Sequence, residues 1–279
     1  MPTRVAYLGP KGTYAEKAAL VLAKLENLDT PIYVPCHGLR GVVENLANNL
    51  CEVAVVPIEN SVEGGVTSAL DALWKHKSLF IHRAVVLPIR HALLSSGSLA
   101  SISEVLSHPQ ALAQCSEWLS QNIPNALQLP TNSTAEAIRM VKGSKFRAAI
   151  GSKDSGHHEG LQRLAYPIND ISGNCTRFVL LHKKNLKETG NKASIAFSLK
   201  VNTPGSLLKA LNEISHLGLN MSRIESRPSK RELGEYVFFV DLDLDTIENK
   251  ACYMNLKNNL EPLCEHIVNF GCYTNSDIE

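Results

Sequence analysis

The chain has 279 residues, of which 44% are hydrophobic and 20% are charged, and its formal net charge is +1. A chain of this length predicts about two globular domains. The near-zero net charge gives no reason to expect nucleic acid or a membrane surface as a partner, so local groups have to hold any anionic ligand.

The N-terminal segment and the cysteines indicate a cytoplasmic protein. The segment MPTRVAYLGPKG has no apolar core followed by small residues, so we expect no signal peptide. No apolar run reaches the length of a membrane-spanning helix. The 7 cysteines are dispersed without Cys-x-x-Cys spacing, which is typical of reduced thiols. We also expect no metal, because the pair His157–His158 has no further ligands at useful spacing.

Strand and helix patterns alternate before about residue 183, and this alternation predicts an α/β fold with mostly parallel sheets. The strand-like segments are RVAYLG, CEVAVVPI, LFIHRAVVLPIRHALLSS with a proline break, ALQLP, RAAIGS and RFVLLHK. The helix-like segments are EKAALVLAKL, GVTSALDALWK, PQALAQCSEWLSQ and STAEAIRMV.

The polar segment HKKNLKETGNKAS interrupts this pattern and predicts a linker over residues 184–192. After it, ASIAFSLKV, LNMSRIESRP, GEYVFFVDLDL and HIVNFGCY have strand character, whereas PGSLLKALNEISHLG and IENKACYMNLKNNLEPL have helix character. Their order is βαββαβ, which is the ferredoxin-like arrangement.

Glycines and hydroxyl residues follow several strands of the first region, in GPKGTYAE, PIENSVEGGVTS, SHPQ and TNSTAE. Backbone N–H groups at such junctions favour anions, and ligands of open α/β sheets bind at the carboxyl ends of strands. The junctions therefore predict a cleft for an anionic small molecule, with simple helix capping as the alternative. Because no P-loop, Gly-x-Gly-x-x-Gly or Gly-x-Ser-x-Gly pattern occurs, we expect no cofactor.

The segment GNCTRFVLL places polar side chains at the entry of an apolar strand. Asn174, Thr176 and Arg177 directly precede or enter the run Phe178–Leu181. A continuous apolar run is typical of a buried strand, and polar groups at its end are unfavourable unless they have partners. This entry point is therefore a candidate site.

Several segments resemble the signatures of the prephenate dehydratase family, in that family's order: VPIENSVEGGV, SHPQALAQC, NSTAEA and NCTRF. PGSLLKAL and IESRP resemble its regulatory ACT domain. The resemblance implies a two-lobed, periplasmic-binding-protein-like catalytic domain over residues 1–183 and an ACT domain over residues 193–279. Lobe 1 would hold about 1–78 and 166–183, and lobe 2 about 79–165. Because the chain starts at the dehydratase motif, we expect no preceding chorismate mutase domain.

The resemblance implies a carbon–oxygen lyase of phenylalanine biosynthesis, which converts prephenate to phenylpyruvate, CO2 and water. Such an enzyme protonates the departing hydroxyl and holds two carboxylates. Thr176 would be the leading catalytic residue, polarised by Glu59 or Asn60. Glu59 is the alternative proton source, and the sequence does not decide between them. A purely structural role for Glu59 would be to stabilise a helix dipole.

The same resemblance implies a set of substrate-binding residues: Ser61, Ser107, Gln114, Ser133, Thr134, Asn174, Arg177 and Phe178. A guanidinium on the ring carboxylate would slow decarboxylation, so we expect Arg177 to bind the pyruvyl carboxylate and the ring carboxylate to lie near Phe178. The structural alternatives are a buried ion pair for Arg177 and a helix N-cap for Ser107.

For the regulatory domain, the resemblance implies that two segments meet across a subunit interface and bind phenylalanine. These residues are Gly205, Ser206, Leu207, Leu208, Asn220, Glu225, Ser226, Arg227 and Pro228. Pairing of edge strands predicts a homodimer or homotetramer. Two alternative functions remain at this point, an arogenate dehydratase and a non-catalytic two-lobed sensor of small molecules.

Overall fold

A computed structural model describes residues 2–185 and 190–278 of the chain, so residues 186–189 of the predicted linker lie outside it. The strands are β1 (Arg4–Leu8), β2 (Ile32–Cys36), β3 (Val53–Asn60), β4 (Gly64–Gly65), β5 (Phe80–Pro88), β6 (His91–Ser95), β7 (Glu104–Ser107), β8 (Leu127–Pro130), β9 (Arg147–Ser152), β10 (Gln162–Ala165), β11 (Cys175–His182), β12 (Lys192–Leu199), β13 (Asn220–Pro228), β14 (Tyr236–Asp243) and β15 (Cys264–Asp277). The helices are α1 (Tyr14–Leu25), α2 (Gly38–Ala47), α3 (Thr67–Lys75), α4 (Pro109–Ala113), α5 (Ser116–Asn122), α6 (Thr134–Met140), α7 (Ser206–His216) and α8 (Ile247–Leu260).

The first lobe is built on the strand order β5-β11-β3-β1-β2. The apolar run of β3 lies between the parallel strand β1 and the antiparallel strand β11, so both faces of β3 need cover. Helix α1 covers one face, and helices α2 and α3 cover the other. The α/β class predicted from the sequence is confirmed, but the sheets are mixed and not mostly parallel, since β11 runs antiparallel to both β3 and β5. Strand β2 and helix α2 are elements that the sequence patterns did not predict.

The second lobe is a separate five-stranded sheet in the order β10-β6-β9-β7-β8, flanked by α4, α5 and α6. The predicted lobe boundary near residue 78 is wrong. Strand β5 belongs to lobe 1, because it pairs with β11 along Phe80–Pro88. The chain therefore leaves lobe 1 after β5 and returns at the start of β11, and these two adjacent strands carry both crossings between the lobes.

The C-terminal region has the predicted βαββαβ order, from β12 through α7, β13, β14 and α8 to β15. Helices α7 and α8 cover one face of its sheet. The other face contributes Phe239, Phe270 and Tyr273 to a core shared with α2 and α3 of lobe 1. The end of β15 then runs parallel to β5, from Thr274 to Asp277, and joins the two regions in a single 10-stranded sheet.

The helices of the described ranges are all too short or too polar to cross a membrane.

Candidate active site

A cluster of side-chain amides and hydroxyls lies where β3 and β11 end side by side. The register of these strands sets Thr176 opposite Asn60, so both side chains lie on the same face. The Asn60 side-chain amide donates to Thr176 Oγ1 at 2.9 Å and to Asn174 Oδ1 at 2.8 Å. All three residues are buried. The polar entry to β11 is therefore satisfied from the neighbouring strand.

The turn that follows β3 fixes the orientation of the Asn60 amide. Its Oδ1 accepts hydrogen bonds from the backbone N–H groups of Val62 at 2.9 Å and Glu63 at 3.0 Å. Because these donors require the oxygen on their side, the NH2 group has to face Thr176. The hydroxyl of Thr176 therefore acts as an acceptor towards Asn60, and its own proton is available for another acceptor.

Gln114 of lobe 2 connects this cluster to the opposite lobe. Its Oε1 accepts from Asn174 Nδ2 at 3.0 Å and lies 3.0 Å from His91 Nε2. Burial lowers the pKa of His91, although the bond to Gln114 opposes the shift. A neutral imidazole that donates from Nε2 fits this contact. Sequence reasoning missed His91, which lies on β6 within an apolar segment that gave no sign of a ligand site.

Other predicted residues lie near the junction between the two lobes. The Ser61 hydroxyl accepts from Cys175 N at 2.9 Å and lies 3.3 Å from Gly173 O, so it ties the two turns together. On lobe 2, Ser133 caps α6 by accepting from Glu136 N at 3.1 Å, and Thr134 begins that helix. A Cβ at Gly12 of lobe 1 would lie 3.8 Å from Ala135 of α6, which places the start of α6 against lobe 1.

The structure contradicts the predicted binding role of Arg177. Side chains alternate along β11, so Arg177 lies on the face opposite Thr176. Its Nη2 contacts Glu59 Oε2 at 2.8 Å and also contacts Asp241 of the C-terminal region. Arg177 thus forms the buried ion pair that was its structural alternative. Glu59 also faces away from Thr176, so its predicted role as polarising group or proton source does not fit this geometry.

Two further site predictions are wrong because the side chains lie inside lobe cores. Ser107 is fully buried and donates to the backbone oxygen of Ile150 at 2.8 Å. It is not the N-cap of α4 either, since His108 Nδ1 accepts from Gln110 N in that position. Phe178 is buried with the core that packs against α1, so it is not exposed to the cleft.

The predicted regulatory residues fall into two groups within one protomer. Gly205, Ser206, Leu207 and Leu208 line a surface cleft of about 480 Å³ at the start of α7. Gly205 has φ of 85°, a left-handed conformation that favours glycine. This first group thus forms one continuous lining.

The second group lies along β13, the strand that follows α7 in the chain. Asn220 donates to Asp243 Oδ2 at 2.7 Å. The carboxylate of Glu225 lies against the backbone of Gly65, and Arg227 pairs with Asp71 of α3 at 3.2 Å. Ser226 and Pro228 complete the end of the strand. Pro228 pairs with Tyr236, which lines the same cleft. The meeting of the two groups across a subunit interface stays a prediction.

Two lobes with a polar cluster between them, joined to a βαββαβ region, define a two-lobed α/β protein with a candidate active site at the lobe junction. A sequence profile described as prephenate dehydratase matches residues 5–186. The chain therefore belongs to the prephenate dehydratase family.

Relatives and a solved structure agree with this assignment. The chain is 37% identical over 271 residues to the prephenate dehydratase of Methanocaldococcus jannaschii, covering 92% of this chain and 97% of that protein. It is 38% identical over 242 residues to the bifunctional chorismate mutase/prephenate dehydratase of Aquifex aeolicus, covering 86% of this chain but 65% of that protein. The prephenate dehydratase of Arthrobacter aurescens, solved in complex with L-Phe, superposes with a TM-score of 0.86 at 31% identity, covering 97% of this chain and 90% of that one.

Proposed function

We propose that this chain is a carbon–oxygen lyase that converts prephenate to phenylpyruvate, CO2 and water. The observation that carries the proposal is the hydrogen bond from Asn60 to Thr176 at the lobe junction, in a chain of the prephenate dehydratase family. It keeps the threonine hydroxyl in one orientation and leaves its proton for the departing hydroxyl of the substrate.

The reaction needs an acid at one end of the ring and no strong cation at the ring carboxylate. Thr176 supplies the hydroxyl, and the hydrogen bond that it accepts from Asn60 is available to stabilise the developing charge on its oxygen.

Because a carboxylate leaves as neutral CO2, a guanidinium beside it would stabilise the ground state. The guanidinium of Arg177, one residue from Thr176, is held on the other face by Glu59 and Asp241. The sequestration of this cation favours decarboxylation.

Substrate binding in this proposal uses groups from both lobes. Ser61 and Asn174 come from lobe 1, and Gln114, Ser133 and Thr134 come from lobe 2. Gln114 bridges the lobes through Asn174, so closure around a ligand would exclude water and fix the substrate relative to Thr176. We assign no binding role to Ser107, Arg177 or Phe178.

The C-terminal region acts in this proposal as an ACT domain through which L-phenylalanine inhibits the enzyme. The cleft lined by Gly205–Leu208 and the L-Phe bound by the Arthrobacter relative support this part. Strand β13 forms an edge of the described sheet, and pairing of two such edges in a dimer would bring Asn220 and the segment Glu225–Pro228 of one copy towards the cleft of another.

One assay tests the activity against both alternatives. Purified protein is offered prephenate and arogenate in separate reactions, and phenylpyruvate and phenylalanine are quantified. We expect phenylpyruvate from prephenate, at a rate that falls when L-phenylalanine is added. Phenylalanine formed from arogenate at a higher kcat/KM would establish the arogenate alternative, and no product from either substrate would favour a binding protein.

A further inference from the structure

Beneath the candidate active site lies a buried charge cluster that joins three segments of the chain. Arg177 of β11 contacts Glu59 of β3 and Asp241 of β14. Asp241 is 3% exposed and also accepts from Ser194 Oγ at 2.6 Å. Strand β14 belongs to the C-terminal region, so a residue outside both lobes touches the strand that carries Thr176.

Ion pairs between Asp241 and two arginines hold the cluster together. Burial opposes ionisation of Asp241, but the charges of Arg177 and Arg223, together with the hydrogen bonds from Ser194 and Arg177, lower the pKa of the carboxyl group. Arg223 Nε lies 3.3 Å from Asp241 Oδ2, within ion-pair distance but not aligned as a hydrogen bond. Asp241 therefore stands between two guanidinium groups, and loss of its charge would leave them buried with too few partners.

The position of Arg177 is coupled to the site by the strand register. Arg177 pairs with Glu59 in the ladder, and the next pair along the same two strands is Thr176 with Asn60. The register shifts immediately beyond Arg177, where the ladder has an irregularity before Phe178. Arg177 holds this irregular point on the face of the sheet opposite Thr176. Its ion pairs therefore fix the local position and twist of β11, and with them the position of the Thr176–Asn60 pair.

We infer that Asp241 is a positioning residue for the proposed dehydratase reaction, acting through Arg177 to hold Thr176 and Asn60 in register. The inference rests on the proposed function. It makes the C-terminal region a structural part of the active site, because one of its carboxylates fixes the strand from which the proposed acid projects.

The test compares kcat and KM for prephenate in the full chain, in four single variants that include Arg177→Gln, and in one double variant. Asp241→Asn removes the charge at nearly constant shape. Asp243→Asn is the matched control, since Asp243 lies two residues further along the same strand and pairs with Lys192 at 2.5 Å instead of Arg177. Ser194→Ala is a milder probe, because it removes one hydrogen bond to the Asp241 carboxylate without removing a charge.

We expect Asp241→Asn to lower kcat about 10–100-fold while KM changes less than about threefold, because misplacement of a reacting group affects turnover. Ser194→Ala is expected to lower kcat about threefold, and Asp243→Asn to leave both constants within about twofold. A double variant with Arg177→Gln should be no slower than the slower of the two single variants, because Asp241 acts through Arg177.

The inference is overturned if a folded Asp241→Asn protein keeps the kcat of the unmodified chain, or if the losses of the double variant multiply. Should Asp241→Asn fail to fold, an unchanged kcat in Ser194→Ala would overturn it instead. These outcomes leave the proposed function intact. Absence of turnover in the unmodified protein is a different result, which would overturn both the proposed function and the inference about Asp241.

Discussion

The side-chain amide of Asn60 donates to the hydroxyl oxygen of Thr176 at 2.9 Å, across adjacent positions of two antiparallel strands. This relationship assigns the acceptor and donor capacities of the threonine. The Asn60 amide is oriented because its oxygen accepts from Val62 N and Glu63 N, so its NH2 group donates to the threonine oxygen. The proton of the Thr176 hydroxyl is therefore available to donate to a substrate.

Replacement of Thr176 by Val tests the role of this hydroxyl directly. Valine keeps the branched shape, so the fold should persist, but no proton donor remains. We expect kcat for prephenate to fall by about 10²–10⁴-fold, the usual range for a lost acid, while Thr176→Ser keeps a substantial part of the rate. Phenylpyruvate formation measures both. Equal activity of Thr176→Val and the unmodified protein would contradict the assignment.

Replacement of Asn60 by Asp should reduce both stability and activity. The new carboxylate would meet Asn174 Oδ1, Cys175 O and Thr176 Oγ1, where an NH2 group now donates. A buried group with unsatisfied or repelling neighbours lowers the free energy of unfolding by about 1–3 kcal/mol. Denaturant unfolding followed by circular dichroism measures the change. The exposed Asn48→Asp serves as the control, with an expected effect within about 0.5 kcal/mol.

Gln114→Ala should weaken substrate binding more than turnover. Gln114 bridges the lobes through Asn174 and is held by His91 of its own lobe, so its loss allows the lobes to separate before the ligand binds. We expect KM for prephenate to rise about tenfold with a smaller change in kcat. Steady-state kinetics separate the two constants, and a loss confined to kcat would place Gln114 in the chemical step instead.

Stability should depend on pH through His91. Burial lowers the pKa of His91 below its ordinary value of 6.5. The unfolded chain therefore takes up a proton at pH values where the folded protein keeps the imidazole neutral. The free energy of unfolding should fall as the pH drops below about 6.5, and the stabilisation should be present above that value.

The measurement is urea unfolding of the full chain between about pH 7.5 and about pH 5.5, with His91→Gln beside it. The variant should show a shallower loss. It should keep some pH dependence, because burial also lowers the pKa values of His76 and His182. Identical slopes in the two proteins would show that His91 does not contribute.

Gly205→Ala should reduce the response to L-phenylalanine without reducing basal turnover. Gly205 has a left-handed backbone and precedes α7, so a Cβ there strains the start of the helix that lines the proposed effector cleft. Gly218 also has a positive φ, of 66°, but follows the other end of α7. Gly218→Ala is the matched control. Inhibition curves of the two variants should differ, with the larger loss of inhibition in Gly205→Ala.

The sequence by itself determined most of the order of elements, although it missed β2 and α2, because hydrophobic periodicity and turn residues are local properties. The βαββαβ rhythm after the linker and the polar entry to the apolar run Phe178–Leu181 were both readable in this way. The family followed from the NCTRF segment and its companions. These features need no knowledge of which residues meet across the fold.

The tertiary structure decided which face of each strand serves the site. Adjacent residues of a strand point in opposite directions, so Thr176 contacts Asn60 at the lobe junction whereas Arg177 contacts Asp241, 64 residues away along the chain. The same alternation separates Glu59 from Asn60, and strand pairing moved β5 into lobe 1. The motifs IENS and NCTRF each grouped neighbouring polar residues together, but long-range pairing set their partners, because register depends on contacts that no local pattern encodes.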